Sequence, residues 1–208
     1  MRAVSGKASR MFSPIVGEVS LTGKPFYARS QTILVSDKIT SKSLGYSGCI
    51  TKGSKRAFFY PDCIYEADDV SCLQEGDIVC LDSDGHATVL WEESSHQNAL
   101  FLTEACNCYC LMCPQPPKKH DKRLIQQAQK VLDLIKSKQI GHICITGGEP
   151  TLLGNDFLAI LNRCVSEHPD AIIDILTNGK TFSDFNFTQS VANIANKNVK
   201  FCVSLHSD

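Results

Sequence analysis

The run Thr103-Glu104-Ala105-Cys106-Asn107-Cys108-Tyr109-Cys110-Leu111-Met112-Cys113-Pro114 carries three cysteines, Cys106, Cys110 and Cys113, in a C-x-x-x-C-x-x-C pattern. It follows a short apolar segment, Ala99 to Thr103, that reads as a strand. Three thiolates on one tight loop can hold three irons of a four-iron cubane and leave the fourth without a protein ligand, so the spacing points to a site-differentiated 4Fe-4S cluster. Cysteine is common in this chain, at 11 of 208 residues. A random chain of that composition shows the spacing about 0.03 times, which makes the triplet alone suggestive. A second motif, Gly147-Gly148-Glu149-Pro150, follows the apolar run His142 to Thr146 and strengthens it.

Outward from these motifs the chain reads in two parts. Residues 1–96 show short apolar alternations broken by Gly, Pro, Ser and Asp, which predicts a small β-rich domain, barrel or sandwich-like. Its clearest piece is a hairpin in which Gly76 to Leu81 and Ala87 to Trp91 are joined by a turn containing Asp84-Gly85. Polar residues from Glu92 to Asn98 form the linker. Residues 97–208 alternate strand and helix patterns: a strand at Ala99–Thr103, a helix with apolar positions Leu124, Ile125, Ala128, Val131, Leu132 and Ile135, and a strand at His142–Thr146. A helix capped by Asn155 with Phe157, Leu158, Leu161, Cys164 and Val165 on one face comes next, then a strand at Ala171–Leu176. A weakly helical stretch from Ser190 to Asn196 and a fourth strand at Val199–Leu205 complete the pattern.

This alternation predicts an α/β fold with parallel strands, whose ligands bind at the carboxyl ends of the strands. The cysteine loop, Gly147 to Pro150, Thr177-Asn178-Gly179 and Ser204 to Asp208 all fall at such ends. Plain readings compete at each. The thiols could be buried small hydrophobes, although Asn107 and Pro114 argue against that. Cys106, Cys108, Cys110 and Cys113 could hold zinc, but no second cysteine knuckle or histidine pair exists to complete a structural site of the usual kind. Cys110 and Cys113 could be a redox dithiol, which leaves Cys106 unused. Gly147 and Gly148 offer bare backbone that a ligand can approach, or an ordinary turn, and Glu149 offers an acceptor for an ammonium. Thr177-Asn178-Gly179 alone is a common turn, and a lone His206 is more often a core or surface residue than a ligand. Cys49, Cys63, Cys72 and Cys80 match no ligand spacing, Cys144, Cys164 and Cys202 read as core residues, and His86 and His96 read as turn residues.

Together the cysteine loop and the Gly-Gly-Glu-Pro segment resemble the radical S-adenosylmethionine (SAM) superfamily. That resemblance covers residues 99–208 and implies a partial (β/α) barrel, here its first four strands, after the small β-rich domain. It implies a 4Fe-4S cluster on Cys106, Cys110 and Cys113, and SAM bound near Met112, Gly147, Gly148, Glu149, Pro150, Asn178, Ser204 and His206. The implied reaction is reductive cleavage of SAM to methionine and a 5′-deoxyadenosyl radical, with a flavodoxin or ferredoxin-like electron donor. Cys108 stands where the family often has a polar residue, and Met112 where it commonly has an aromatic one that packs on adenine. The Cys110-Leu111-Met112-Cys113-Pro114-Gln115-Pro116-Pro117 neighbourhood resembles the His-Xaa-Ser system maturases, which implies a peptide or small protein partner. The family's core normally continues to six strands, so the expectation is either a fragment or a chain completed by a partner, with Val199–Leu205 as an exposed edge. The alternatives are a non-catalytic cluster-binding remnant or partner subunit, and a zinc-binding module.

Composition limits the remaining classes. A formal charge of −1 with scattered Lys and Arg gives no basis for nucleic-acid binding. The first eighteen residues lack the apolar core of a secretory signal, and no stretch has the apolar length of a membrane span. A reducing compartment, the cytoplasm, is expected for so many cysteines without a disulfide-scaffold pattern.

Overall fold

The computed structural model describes residues 2–54, 62–113, 116–119 and 121–204. The chain divides into two compact units, residues 1–95 and 96–208. In the first unit, the strands are β1 (Ala3–Ser5), β2 (Lys7–Ala8), β3 (Ile15–Ser20), β4 (Thr32–Val35), β5 (Gly48–Ile50), β6 (Asp62–Tyr65), β7 (Ile78–Leu81) and β8 (His86–Trp91). They form one sheet in the order β1-β8-β7-β3-β4-β5-β6-β2. The four from β3 to β6 run parallel, and β7 and β8 are the expected hairpin, with Gly85 at φ 92° in its turn.

The two outer strands of this sheet are consecutive in the chain, with Gly6 alone between them. One N-terminal segment therefore pairs with β8 through β1 and with β6 through β2, and the sheet is closed by its own chain, which removes the unpaired edges. The crossing demands glycine: a Cβ on Gly6 would sit 2.7 Å from Ile64 Cγ2 and 2.8 Å from the Tyr65 carbonyl oxygen. Val4, Val19, Ile33, Ile50, Ile64, Val79 and Leu81 fill the core. Cys49 and Cys63 face each other across β5 and β6 and are buried, as is Cys80. His86 opens β8 and does not lie in the turn, with its Nδ1 3.2 Å from Ser5 Oγ.

The second unit alternates β9 (Asn98–Phe101), α1 (Lys122–Ile135), β10 (His142–Thr146), α2 (Asn155–Glu167), β11 (Ile172–Thr177), α3 (Phe185–Ile194) and β12 (Val199–Val203). The four strands are parallel in the order β12-β11-β10-β9, an open sheet that does not close into a barrel among the described residues. Period-two burial explains the layering. Leu100, Ile143, Ile145, Ile173 and Ile175 are buried on one face, against helices whose own buried stripes are Ile125, Ala128, Val131, Leu132 and Ile135 on α1 and Phe157, Ile160, Leu161 and Cys164 on α2. Phe157, Phe187, Phe182 and Phe201 form a chain of ring contacts from 5.2 to 6.1 Å that ties α2 and α3 to β12.

Several boundaries differ from the sequence reading. Asn155 is the first residue of α2, not its cap; the cap is Gly154 at φ 55°, because a single 3-10 turn, Pro150–Leu153, runs straight into the helix. The third helix starts at Phe185, not Ser190, since the Asp184 carboxylate accepts from the Asn186 and Phe187 amides. The last strand ends at Val203, so Ser204 lies just past it and His206 falls outside the described residues. Cys144 is half-buried and Cys202 exposed; both sit on the sheet face opposite the buried isoleucines, so only Cys164 of the three is a core residue. No helix among the described residues is long and apolar enough to cross a membrane.

Two outcomes follow from this packing. Gly6→Ala should cost about 1–3 kcal/mol in urea-induced unfolding, because backbone and a core side chain block the new methyl group. His168 is 4% exposed and its Nε2 has no partner among the described residues, and burial lowers its pKa from the ordinary 6.5. The unfolded chain therefore binds the proton first, so stability should be full above pH 6.5 and fall as the pH drops below it. A His168→Gln variant should show a flatter melting temperature between pH 7 and pH 5.

Candidate functional site

Four loops at the carboxyl ends of β9 to β12 are held in two pairs by backbone bonds, and the Glu149 side chain joins the pairs. The cysteine loop follows β9 and packs on the loop after β10: Leu102 N donates to the Thr146 carbonyl (2.9 Å), Gly148 N to the Thr103 carbonyl (2.7 Å) and Glu149 N to the Ala105 carbonyl (2.8 Å). Ser204 N donates to the Thr177 carbonyl (3.0 Å), which joins the ends of β12 and β11. The two glycines are required by this seam. A Cβ on Gly147 would lie 2.6 Å from the Thr103 carbonyl oxygen, and one on Gly148 2.4 Å from that of Ala105. Their bare Cα atoms thus admit the cysteine loop, which refines the expectation that they only admit a ligand.

Glu149 is fully buried, and its carboxylate is already engaged. Oε1 accepts from Thr151 N (3.1 Å), Thr151 Oγ1 (2.6 Å) and Thr177 Oγ1 (2.7 Å), while Oε2 accepts from Asn178 N (2.6 Å). It locks the β10 loop to the β11 loop and caps the 3-10 turn that Pro150 begins. The reading of Glu149 as an acceptor for a ligand ammonium therefore gives way to a positioning role.

Within the cysteine loop, Cys113 N donates to the Cys110 carbonyl (3.0 Å), closing a turn whose outer residues, Leu111 and Met112, are exposed. Lys118 ties the end of the loop to its start: its backbone N donates to the Glu104 carbonyl (3.1 Å) and its Nζ to Glu104 Oε1 (2.6 Å). Cys108 N lies 3.4 Å from Cys106 Sγ. Asn178 reaches across from the β11 loop and donates through Nδ2 to Asn107 Oδ1 (2.7 Å), with Cys108 Sγ at 3.3 Å and Cys106 Sγ at 4.0 Å. Burial pushes the Cys106 thiol above its ordinary pKa, and the Cys108 amide works in the opposite direction.

These loops surround a cavity of about 280 Å³. Its walls are Cys106, Cys108, Cys110, Met112 and Cys113 from the first loop, Thr146, Gly147 and Gly148 from the second, Leu176, Thr177 and Asn178 from the third, and Ser204 from the fourth. The structure thus brings together every described residue singled out from the sequence except Glu149 and Pro150, which stand behind the wall. Thr146 and Leu176 went unnoticed in sequence as site residues; their signal was their place at the ends of β10 and β11.

The donor set suits iron–sulfur chemistry, since soft thiolates crowd one cavity. No three His, Cys, Asp or Glu side chains among the described residues converge on a point where one metal ion could sit. A mononuclear zinc site needs four ligands within about 2.3 Å of one point.

No family model matches the chain, and no solved structure matches it. Among curated proteins, the mycofactocin maturase MftC of Mycolicibacterium smegmatis is 33% identical over 69 residues, which cover 32% of this chain and 17% of that maturase. This partial similarity supports the radical SAM superfamily and reaches no subtype within it.

The seam predicts a specific failure. Gly148→Ala should displace Ala105 and the neighbouring Cys106, and lower iron uptake on anaerobic reconstitution well below that of a Gly141→Ala control, where a Cβ meets nothing within 4 Å. Glu149→Ala should cost about 2–4 kcal/mol in denaturant unfolding, because four donors lose their acceptor.

Proposed function

We propose that this chain carries the cluster- and cofactor-binding part of a radical SAM enzyme that modifies a peptide or small protein. The carrying observation is the cavity where Cys106, Cys110 and Cys113 meet Gly147-Gly148 and Asn178. In this reading the open parallel sheet is the first part of a (β/α) barrel, and Cys106, Cys110 and Cys113 hold a 4Fe-4S cluster. Gly147 and Gly148 present unhindered backbone to SAM, Met112 packs on its adenine, and Ser204 and Asn178 offer polar contacts. His206 and Pro150 belong to the same proposed surround. When bound and reduced by a flavodoxin or ferredoxin-like donor, the cluster supplies the electron that splits SAM into methionine and a 5′-deoxyadenosyl radical.

The chain's own residues supply the positioning. Asn178 holds the cysteine loop against β11, and Glu149 fixes Asn178 by its backbone amide. The Cys110-Leu111-Met112-Cys113-Pro114-Gln115-Pro116-Pro117 run supports a maturase of the His-Xaa-Ser kind, and the reducing cytoplasm suits an oxygen-sensitive cluster.

Anaerobic reconstitution should give about four irons per chain and little zinc. Electron paramagnetic resonance of the reduced protein should change on adding SAM. Single Ala replacements of Cys106, Cys110 or Cys113 should abolish the cluster. Stoichiometric zinc without iron absorbance would sink the assignment, and a SAM-responsive cluster that never yields 5′-deoxyadenosine would favour a non-catalytic subunit.

A further inference from the structure

Four thiols line the cavity, one more than the C-x-x-x-C-x-x-C pattern uses. We propose that Cys108 is an exchangeable fourth thiolate, which ligates the iron left open by Cys106, Cys110 and Cys113 until SAM displaces it. The inference rests on the cluster assignment above. Cys108 is half-buried and faces the same space as the triplet. Its amide lies against Cys106 Sγ at 3.4 Å, and its own sulfur lies 3.3 Å from Asn178 Nδ2, the amide that also approaches Cys106 Sγ. One donor therefore spans both sulfurs and keeps Cys108 on the cavity side of the loop. The remaining seven cysteines do not line this space.

A thiol on the same short loop has a high effective concentration at the open iron, of order millimolar or above. Iron in a sulfur cluster prefers thiolate to water. As the Fe–Sγ bond forms, the Cys108 thiol releases its proton to solvent. When SAM arrives, that bond would break, the SAM ammonium would give up a proton as its nitrogen and carboxylate bind the iron, and the released thiolate would take up one proton, so the protons balance. No electron moves in the exchange. A bidentate ligand can win against one thiolate, but it must first displace it, so apparent SAM affinity is reduced by the fraction of protein in the thiolate-capped state.

The test compares reconstituted wild type with Cys108→Ala and Cys108→Ser, without SAM, after mild anaerobic oxidation. An unprotected fourth iron is lost and leaves a three-iron cluster that paramagnetic resonance detects. The wild type should keep four irons, and both variants should give a three-iron signal several-fold larger. Mössbauer spectra of the wild type should show no distinct non-thiolate iron until SAM is added, a reading that needs no variant. Cys108→Ala should also bind SAM about tenfold more tightly if the thiolate caps nine molecules in ten. A distinct fourth iron in the SAM-free wild type, or equal three-iron signals in all three proteins, would overturn this proposal and leave the cluster assignment standing. Failure of the wild type to assemble any cubane would overturn both.

Discussion

A single buried carboxylate organises the second unit's functional rim. Glu149 gathers four donors from the loops after β10 and β11, and its own amide donates to Ala105 at the root of the cysteine loop. A carboxyl group held at zero exposure is tolerable only when its oxygens find partners, so these bonds are as obligatory as they are stabilising. Three loops, each from a different strand, are thereby fixed relative to one another. The cavity is a consequence of that arrangement, because its walls are the solvent sides of the same three loops and Ser204.

The rim is uneven in a way that matters for ligand binding. Behind the cavity the cysteine loop and the β10 loop are bonded main chain to main chain, the Glu149 carboxylate joins the β10 and β11 loops, and the glycine seam leaves no room for adjustment. In front, Tyr109 is 87% exposed, Leu111 fully so, and Met112 85%. A rigid back and an uncovered front suit a loop whose final conformation is set by what its thiols bind, since metal binding commonly supplies the free energy that orders its own site. Cys106 sits at the junction, close enough to the rigid side to be bonded and close enough to the front to ligate.

The parallel sheet is legible in sequence because apolar alternation at β10 and β11 and the helical stripe of α1 obey different periods over long enough runs. The closure of the first unit is not, since it depends on Gly6 letting β1 and β2 pair with strands about eighty and sixty residues away, and no local pattern encodes that. Likewise α3 hides behind a weak apolar stripe, with Val191 its one fully buried residue and Asp184 its start signal. At the site, the residue types are readable and their duties are not. Gly148 and Glu149 look like ligand contacts in sequence; packing shows that Gly148, while lining the cavity, must also admit the neighbouring loop, and that Glu149 is a clamp. Cys108 reads in sequence as a competing ligand or an idle thiol, and the cavity shows that it shares the triplet's space.

Eleven cysteines would confuse a ligand set if all were equally available. Burial separates them. The Cys49 and Cys164 thiols are pushed up to about 12 by burial, which leaves almost no thiolate at neutral pH. Cys63 and Cys80 are also enclosed in the first unit's core. Cys72, Cys144 and Cys202 are more accessible, and burial pushes Cys144 up as well. The loop from Cys106 to Cys113 combines access with sulfur density, since four of its cysteines line one cavity. Burial thus withdraws Cys49, Cys63, Cys80 and Cys164 from competition for a soft metal and leaves the four thiols of the cavity among the accessible ones.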